Sequence, residues 1–265
     1  MDSCFKADTI SFSKEDTVGK KEMIAVAISG NELKLNYSRQ CLLSMIKWQE
    51  EQLTNFKGET MKFVDQQVEL LNHLSYKETL YNIETAGRIC YQSKSDYNIE
   101  SGEKFVRMII KRGHESVLEH GSLTFKIKTN RAIANEIVRH RLASYSQEST
   151  RYVKYNHIDF IPWIDRVPVV NKAYMEYILE DVEEHYARLI QDGCKAEDVR
   201  DILPLCTATR LAMTMNFREL RHFLKLRLDK AAHPQIRELA NMILKTVEGE
   251  FPVLVEDIEG EEEHV

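Results

Sequence analysis

The 265-residue sequence predicts an α+β fold, a helix-rich single domain with a modest antiparallel sheet. Three observations carry that reading. Apolar residues recur at helical spacing through most of the chain after residue 60, most plainly in NKAYMEYILEDVEEHYARLIQDG. One segment, SLTFKIKT, instead alternates Leu123, Phe125 and Ile127 with polar neighbours, the period of a half-buried strand. The ten glycines include no G-x-G pair, so the phosphate-binding turns of a dinucleotide fold or a Walker loop are absent.

Taken in order, residues 1–60 read as an N-terminal extension of unassigned role. Within it KEMIAVAIS suits a short strand, and SRQCLLSMIKWQEEQL has helical spacing through Cys41, Met45 and Trp48. Asn55 to Thr60, with Gly58, makes a joint. The main domain is expected over 61–265, from a fresh apolar start at MKFVDQQVELL. YKETLYNIETAGRICYQS and GEKFVRMIIKRG read as helices, the second ending at Gly113. After SLTFKIKT, RAIANEIVRHRLA returns to helical spacing. A loop around Pro162 and Pro168 precedes the long amphipathic helix, which Gly193 closes. KAEDVRDILP is a short helix stopped by Pro204, and Thr207 to Val247 is expected to be mostly helical with a break near Pro234.

Composition narrows the function. The formal net charge of −6 disfavours general nucleic-acid binding, which needs many cations against phosphate. The acids gather in the tail VEDIEGEEEHV, which reads as a solvated end. Apolar runs such as Ile24 to Ile28 are too short to cross a bilayer, and the N-terminus has no basic start followed by an apolar stretch. A cytoplasmic protein without a membrane partner is expected. The five cysteines are scattered and form no C-x-x-C pair, which argues against a disulfide framework or a zinc knuckle.

The basic groups that matter are local. In NEIVRHRLA, Ala134, Ile137, Val138 and Arg141 fall at i, i+3, i+4 and i+7, so Arg141 prolongs an apolar stripe. An inward arginine needs an acidic side chain or a ligand anion, and both remain open. SYSQEST then offers Ser144, Ser146, Gln147, Ser149 and Thr150, followed by Arg151. That set suits either a phosphate cradle or an ordinary polar loop. In NFRELRHFLKLRLDK, Arg218, Arg221, His222 and Lys225 line one helical face, read as solvated. Leu220, Phe223, Leu224 and Arg227 line the other. Two arginines ending apolar stripes suggest two sides of one anionic pocket; Arg200 is either a third contributor or, as its spacing alone favours, an exposed helix arginine. In GHESVLEH, Ser116 and Glu119 have the spacing of a capping box. His114 and His120 are roughly 240° apart on a helix, so no metal site is expected there.

Several of these stretches together resemble one family. Arg139-His140-Arg141, seven residues, then Ser149 reproduces the R-H-R-x7-S signature of the flavin-dependent thymidylate synthases. GHESVLEH is similar to that family's G-H-x-[ST]-x-x-E-H segment, and VRDILP, NFR and HFLKLR match its later landmarks in order. The resemblance covers about residues 61 to 250.

The resemblance implies methylation of dUMP to dTMP, with methylenetetrahydrofolate as carbon donor. Reduced FAD would supply hydride, NADPH would reduce the flavin, and no enzyme cysteine would act as nucleophile. It implies a homotetramer with sites shared between subunits. It assigns Glu136, Ile137, Val138, Arg139, Gln147, Glu148, Ser149, Thr150, Arg151 and Arg200 to dUMP, with Arg227 against the uracil ring as the catalytic cation. To FAD it assigns His114, Ser116, Glu119, Arg139, His140, Arg141, Gln147, Asn216, Phe217, Arg218 and His222. No metal is implied. Two positions depart: Cys90 stands where some relatives carry serine, and Ala231 where some carry histidine. Those departures, with the extra N-terminus, would suit a relative that binds the nucleotide without turnover.

Overall fold

The computed structural model describes residues 62–260 except 72 and 95, together with the backbone of 10–14, 22–29 and 32–36. The chain divides into two compact units, Met1–Thr60 and Met61–Val265. In the first, β1 (Ile10–Lys14), β2 (Glu22–Ser29) and β3 (Glu32–Asn36) form an antiparallel sheet in that order. The strand expected in KEMIAVAIS is β2. The helix expected in SRQCLLSMIKWQEEQL and the joint at Asn55–Thr60 lie outside the described residues.

The second unit begins with β4 (Lys62–Phe63) and β5 (Gln67–Leu70). Helix α1 (Tyr76–Ile89) starts at a capping box, in which the Ser75 hydroxyl accepts from Glu78 N and the Glu78 carboxylate accepts from Ser75 N. Helix α2 (Ile99–Arg112) ends at Gly113, whose φ of 68° is the left-handed conformation glycine adopts without a Cβ clash. A 3-10 turn (Glu115–His120) leads to β6 (Ser122–Asn130) and α3 (Arg131–Ile137). Then come β7 (Ala143–Gln147), β8 (Asp159–Phe160) and the long α4 (Val169–Gln191), closed as expected by Gly193. Helix α5 (Ala196–Val199) runs into a second 3-10 turn (Arg200–Ile202), and β9 (Ala208–Asn216) feeds directly into α6 (Phe217–Arg227). Pro234 opens α7 (Pro234–Glu250) from its first position, where its missing N–H is no loss. A last 3-10 turn spans Pro252–Leu254.

The main sheet has the order β5-β6-β9-β7, every pair antiparallel, while β4 and β8 form a small parallel pair. Across its central ladder Leu123, Phe125 and Ile127 stand opposite Met215, Met213 and Leu211, and all six are buried. Helices α1, α2, α6 and α7 cover that apolar set with Leu80, Ile83, Val106, Phe223, Leu239 and Ile243. A smaller cluster of Ile158, Phe160, Leu179, Tyr186 and Val199 joins β8 to α4 and α5. Among the described residues no helix is long and apolar enough to cross a membrane.

Four expectations are corrected. The stretch from Thr207 begins as the central strand β9. Its alanine, leucine and methionines favour helix, but Leu211, Met213 and Met215 alternate with Arg210, Ala212 and Thr214, and burial follows that period of two. The helix of RAIANEIVRHRLA stops at Ile137, because the chain must turn there to lay β7 along β9. Ser144 to Gln147, expected as a loop beyond that helix, are therefore part of strand β7, which begins at Ala143. Arg221, expected on a solvated face, is 1% exposed and is taken up by Asp257 and the Leu254 carbonyl.

Candidate active site

Helix α6 aims the most constrained cation outside the core. Asn216 caps it, its Oδ1 accepting from Glu219 N at 2.9 Å, so the helix phase is set by the end of β9. Leu220, Phe223 and Leu224 fix the inward face, and Arg227 is its last residue. The guanidinium donates from Nε to His140 Nε2 at 3.0 Å, from Nη1 to Glu136 Oε2 at 2.9 Å and from Nη2 to the Glu136 carbonyl at 3.0 Å. Those bonds use three of its five N–H groups, and the side chain is 15% exposed. Arg227 is thus held from behind with two donors to spare.

His140 is the hinge of this cluster. Its Nε2 accepts from Arg227, so a neutral ring carries its hydrogen on Nδ1, which donates to Glu219 Oε1 at 3.2 Å. Burial first, and then the Arg227 charge, push its pKa below the ordinary 6.5, against the pull of Glu219. The imidazole is neutral at physiological pH. His222, exposed on α6, has its ring 5.8 Å from that of His140. His140, Glu219 and His222 bring ligand atoms within 4.8 Å of one another. A cation there would need the Nδ1 proton removed or would face the Arg227 guanidinium at Nε2, so the chemistry of the set favours an imidazole–carboxylate pair over a metal centre.

The residues flanking His140 differ from one another. Arg139 and Arg141 are exposed in the turn after α3, so Arg141 ends no apolar stripe. The Tyr145 hydroxyl, 2.9 Å from both the Ile137 and His140 carbonyls, fastens that turn to β7. Ile137 and Phe217 are sealed in the core at 0% exposure, so neither side chain can meet a ligand. Val138 is half-buried beside Arg139.

A cavity of about 380 Å³ opens between the end of α1, the first 3-10 turn and the start of α6, lined among others by Gly87, Cys90, Gly113, His114, Ser116 and Arg218. The expected capping box is absent, because GHESVLEH folds as a 3-10 turn with no side-chain cap and Ser116 sits inside it. Glu119 instead binds Arg218 at 2.6 Å. A mixed wall of this size, with the Tyr91 and Ser116 hydroxyls, one imidazole, one carboxylate and one guanidinium, is suited to part of a small organic ligand.

The third group lies at the far end of β7. Gln147 Nε2 is 3.3 Å from Thr209 Oγ1. The Glu148 carboxylate accepts from the Tyr155 hydroxyl and from Arg210 Nη1 at 3.1 Å. Ser149 Oγ accepts from Arg151 N at 3.3 Å, and Thr150 follows it half-buried in the same turn. Arg151 reaches Glu197 at 3.3 Å on α5, three residues before Arg200. Arg200 is 43% exposed, its nearest acid Asp201 at 3.9 Å. Ala143 pairs with Met215 and Gln147 with Leu211, so the Arg139–Arg141 turn and this loop are separated by the length of β7, roughly 14 Å.

Sequence reasoning missed Glu219, Tyr145 and Tyr155. Glu219 carried a legible signal: residues 219, 223 and 227 are one helical stripe, so an acid shares the face of Phe223 and Arg227. The tyrosines carried none, since their partners are backbone carbonyls or a distant carboxylate.

Residues 69–253 match the family model described as thymidylate synthase complementing protein. Flavin-dependent thymidylate synthases from three bacteria are similar. That of Geobacter sulfurreducens is 36% identical over 200 residues, 72% of this chain and 85% of the relative. That of Nitratidesulfovibrio vulgaris is 36% identical over 206 residues, 69% and 83%. That of Clostridium tetani is 32% identical over 223 residues, 75% and 87%.

Proposed function

The chain belongs to the thymidylate synthase complementing protein family, that of the flavin-dependent thymidylate synthases, and on that premise we propose that it methylates dUMP to dTMP with methylenetetrahydrofolate as carbon donor. FAD, kept reduced by NADPH, supplies the hydride when bound. The observation that carries the reading is the Arg227 guanidinium, fixed by His140 and Glu136 with two N–H groups left over. Presented to the imide edge of a uracil ring, a cation fixed by these partners and only 15% exposed favours the N3-ionised form and negative charge on the ring. No reorganisation of the arginine is then needed during the reaction.

The other residues divide by what they still have to offer. The cavity beside His114, Ser116 and Arg218 suits part of the flavin, with Glu119 steadying Arg218. Arg139 and Arg141, exposed on their turn, suit its phosphates, with His222 beside the same turn through the His140 ring; Asn216, which caps α6, and Gln147, at the far end of β7, are the remaining flavin candidates. His140 has both ring nitrogens engaged, so it serves from behind Arg227. Ile137 and Phe217 act through backbone only. Ser149, Thr150, Arg151 and Arg200 suit the nucleotide phosphate, while Glu148, already bonded to Tyr155 and Arg210, shapes the loop. Glu136, bonded to Arg227, and Val138 border the nucleotide beside Arg139.

Cysteine chemistry finds no support among the described residues. Cys90 is exposed in the cavity away from Arg227, and Cys194 and Cys206 are half-buried, the latter with its thiol pKa raised by burial. The separation along β7 supports sites completed by a second copy, in a homotetramer. Residues 61–265 would form the catalytic domain, with 1–60 an extension, in a cytoplasmic enzyme. The test is tritium release from C5-labelled dUMP by the purified protein with FAD, NADPH and methylenetetrahydrofolate. Release that stops when any one is omitted is expected. No release from protein shown to bind both FAD and dUMP would overturn the proposal.

A further inference from the structure

We propose that Glu219 is a positioning residue: acting through His140, it holds the Arg227 guanidinium in the orientation that the pyrimidine requires. This rests on the reading that Arg227 meets the pyrimidine. Glu219 itself is 5% exposed and bonds the ring nitrogen of His140 opposite the one that Arg227 uses.

One chain of bonds links Glu219 to Arg227. Glu219 Oε1 accepts from His140 Nδ1, and His140 Nε2 accepts from Arg227 Nε. An imidazole with its hydrogen on Nε2 would set one N–H against another at Arg227 and release that grip. Glu219 therefore selects the productive tautomer, and its charge makes Nε2 the better acceptor. A carboxylate nearly sealed from water is costly unless its partner uses it. The cap of α6 uses only the Glu219 backbone N–H, and Leu220, Phe223 and Leu224 already fill the inward face, so the side-chain bond that this carboxylate makes is the one to His140. The stripe 219–223–227 puts acid and arginine two turns apart, too far to bond directly, with the His140 ring between them. The Phe223 ring, edge-on at 4.9 Å, keeps that imidazole from turning.

Protonation supplies a readout that mere packing would not move. The titratable and charged groups facing His140 are Glu219, His222 and Arg227 from α6 and, through Arg227, Glu136 from α3; from β7, Tyr145 bonds its carbonyl. A proton added at Nε2 ejects the Arg227 N–H, so dUMP affinity should fall on the acid side as His140 titrates. Glu219 is the group that favours the charged ring. Removing its charge moves that acid limb to lower pH.

The experiment is calorimetric titration of dUMP into FAD-loaded Glu219→Gln, Glu219→Leu and Arg227→Ala proteins across pH 5 to 8.5 (roughly the range in which histidine changes charge). Glu219→Gln retains an acceptor for Nδ1–H. It should bind dUMP like wild type at high pH, with the acid limb at lower pH. Glu219→Leu should bind about tenfold more weakly, the consequence of a buried N–H left without a partner. Arg227→Ala should bind weakly at every pH. Wild-type affinity in Arg227→Ala would overturn the reading of Arg227 itself. A weakened Arg227→Ala beside an unmoved acid limb in Glu219→Gln would overturn the inference alone, and that result does not depend on Glu219→Leu folding.

Discussion

Arg221 and Arg227 leave the same helix six residues apart, and both meet carboxylates. Arg221 gives Nη1 and Nη2 to the two oxygens of Asp257 at 2.6 and 2.7 Å, and Nη1 also to the Leu254 carbonyl at 2.7 Å. Its side chain is 1% exposed, and the nearest other acid, Glu115, stands 3.8 Å from a buried Nε that has no hydrogen bond. This fork-to-fork pair fastens the turn after α7 onto α6, beside the Phe217 and Phe251 rings, which meet tilted at 5.4 Å. Arg227 has a half-exposed carboxylate, a carbonyl and a neutral imidazole for partners, and keeps two donors. The difference teaches how to sort arginines on an apolar face. One whose charge is matched and sealed holds structure, and one left with spare donors at the surface is available for a ligand.

That sorting predicts which assay each substitution disturbs. The largest effect is expected from Arg227→Ala: turnover falls about 10²- to 10³-fold, the usual consequence of removing a preorganised charge from a developing anion. Its stability should change by only about 1 kcal/mol, because Glu136 can turn to water. Steady-state kinetics alongside thermal unfolding decides this. A large drop in Tm with little loss of turnover would put Arg227 in the same class as Arg221.

Asp257→Ala should do the reverse. It strands the Arg221 cation in the core, a loss of about 3 kcal/mol. For a unit of about 200 residues that is roughly 6–12 °C in Tm. Affinity for dUMP at 25 °C should stay as in wild type. Unaltered unfolding would mean that Arg221 finds Glu115 or water instead.

Much of this was legible in the sequence, for physical reasons that separate the successes from the failures. α1, α2 and α4 combine helical spacing with local stop signals such as Gly113 and Gly193, so neighbours in sequence decide them. β9 is decided by its neighbours in space: between β6 and β7, alternate methionines are buried whatever their helix propensity. Arg141 and Arg221 failed together. Assigning each to a helix face assumed that the helix continued or that the face was wet, and the partners that settle the matter, Tyr145 for the turn and Asp257 for the clamp, are 4 and 36 residues away. Arg227 succeeded because its stripe is local to one helix. Glu219 lay on that stripe too, but an acid three residues after a capping asparagine reads first as part of the cap.

The smallest expected effect concerns the pH at which each cluster loosens. His140 has a folded pKa below its ordinary 6.5, so its unfolded ring takes up a proton that the folded ring resists. Stability from this source is complete above about pH 6.5 and drains away as pH falls from there toward the folded value. Asp257 is also held below its ordinary 3.8, by its bonds to Arg221, and its contribution therefore persists until pH falls below about 3.8. The two clusters should come apart in separate windows, the Arg227 side first. Thermal unfolding against pH, comparing wild type with His140→Gln, isolates the upper window, and the variant should lose less stability than wild type between pH 6.5 and 5. Asp257→Ala should keep the wild-type slope there. Parallel curves for wild type and His140→Gln would mean that the imidazole admits a proton as readily in the folded chain as in the unfolded one, which its burial and then the guanidinium at its Nε2 oppose so long as Arg227 stays where α6 puts it.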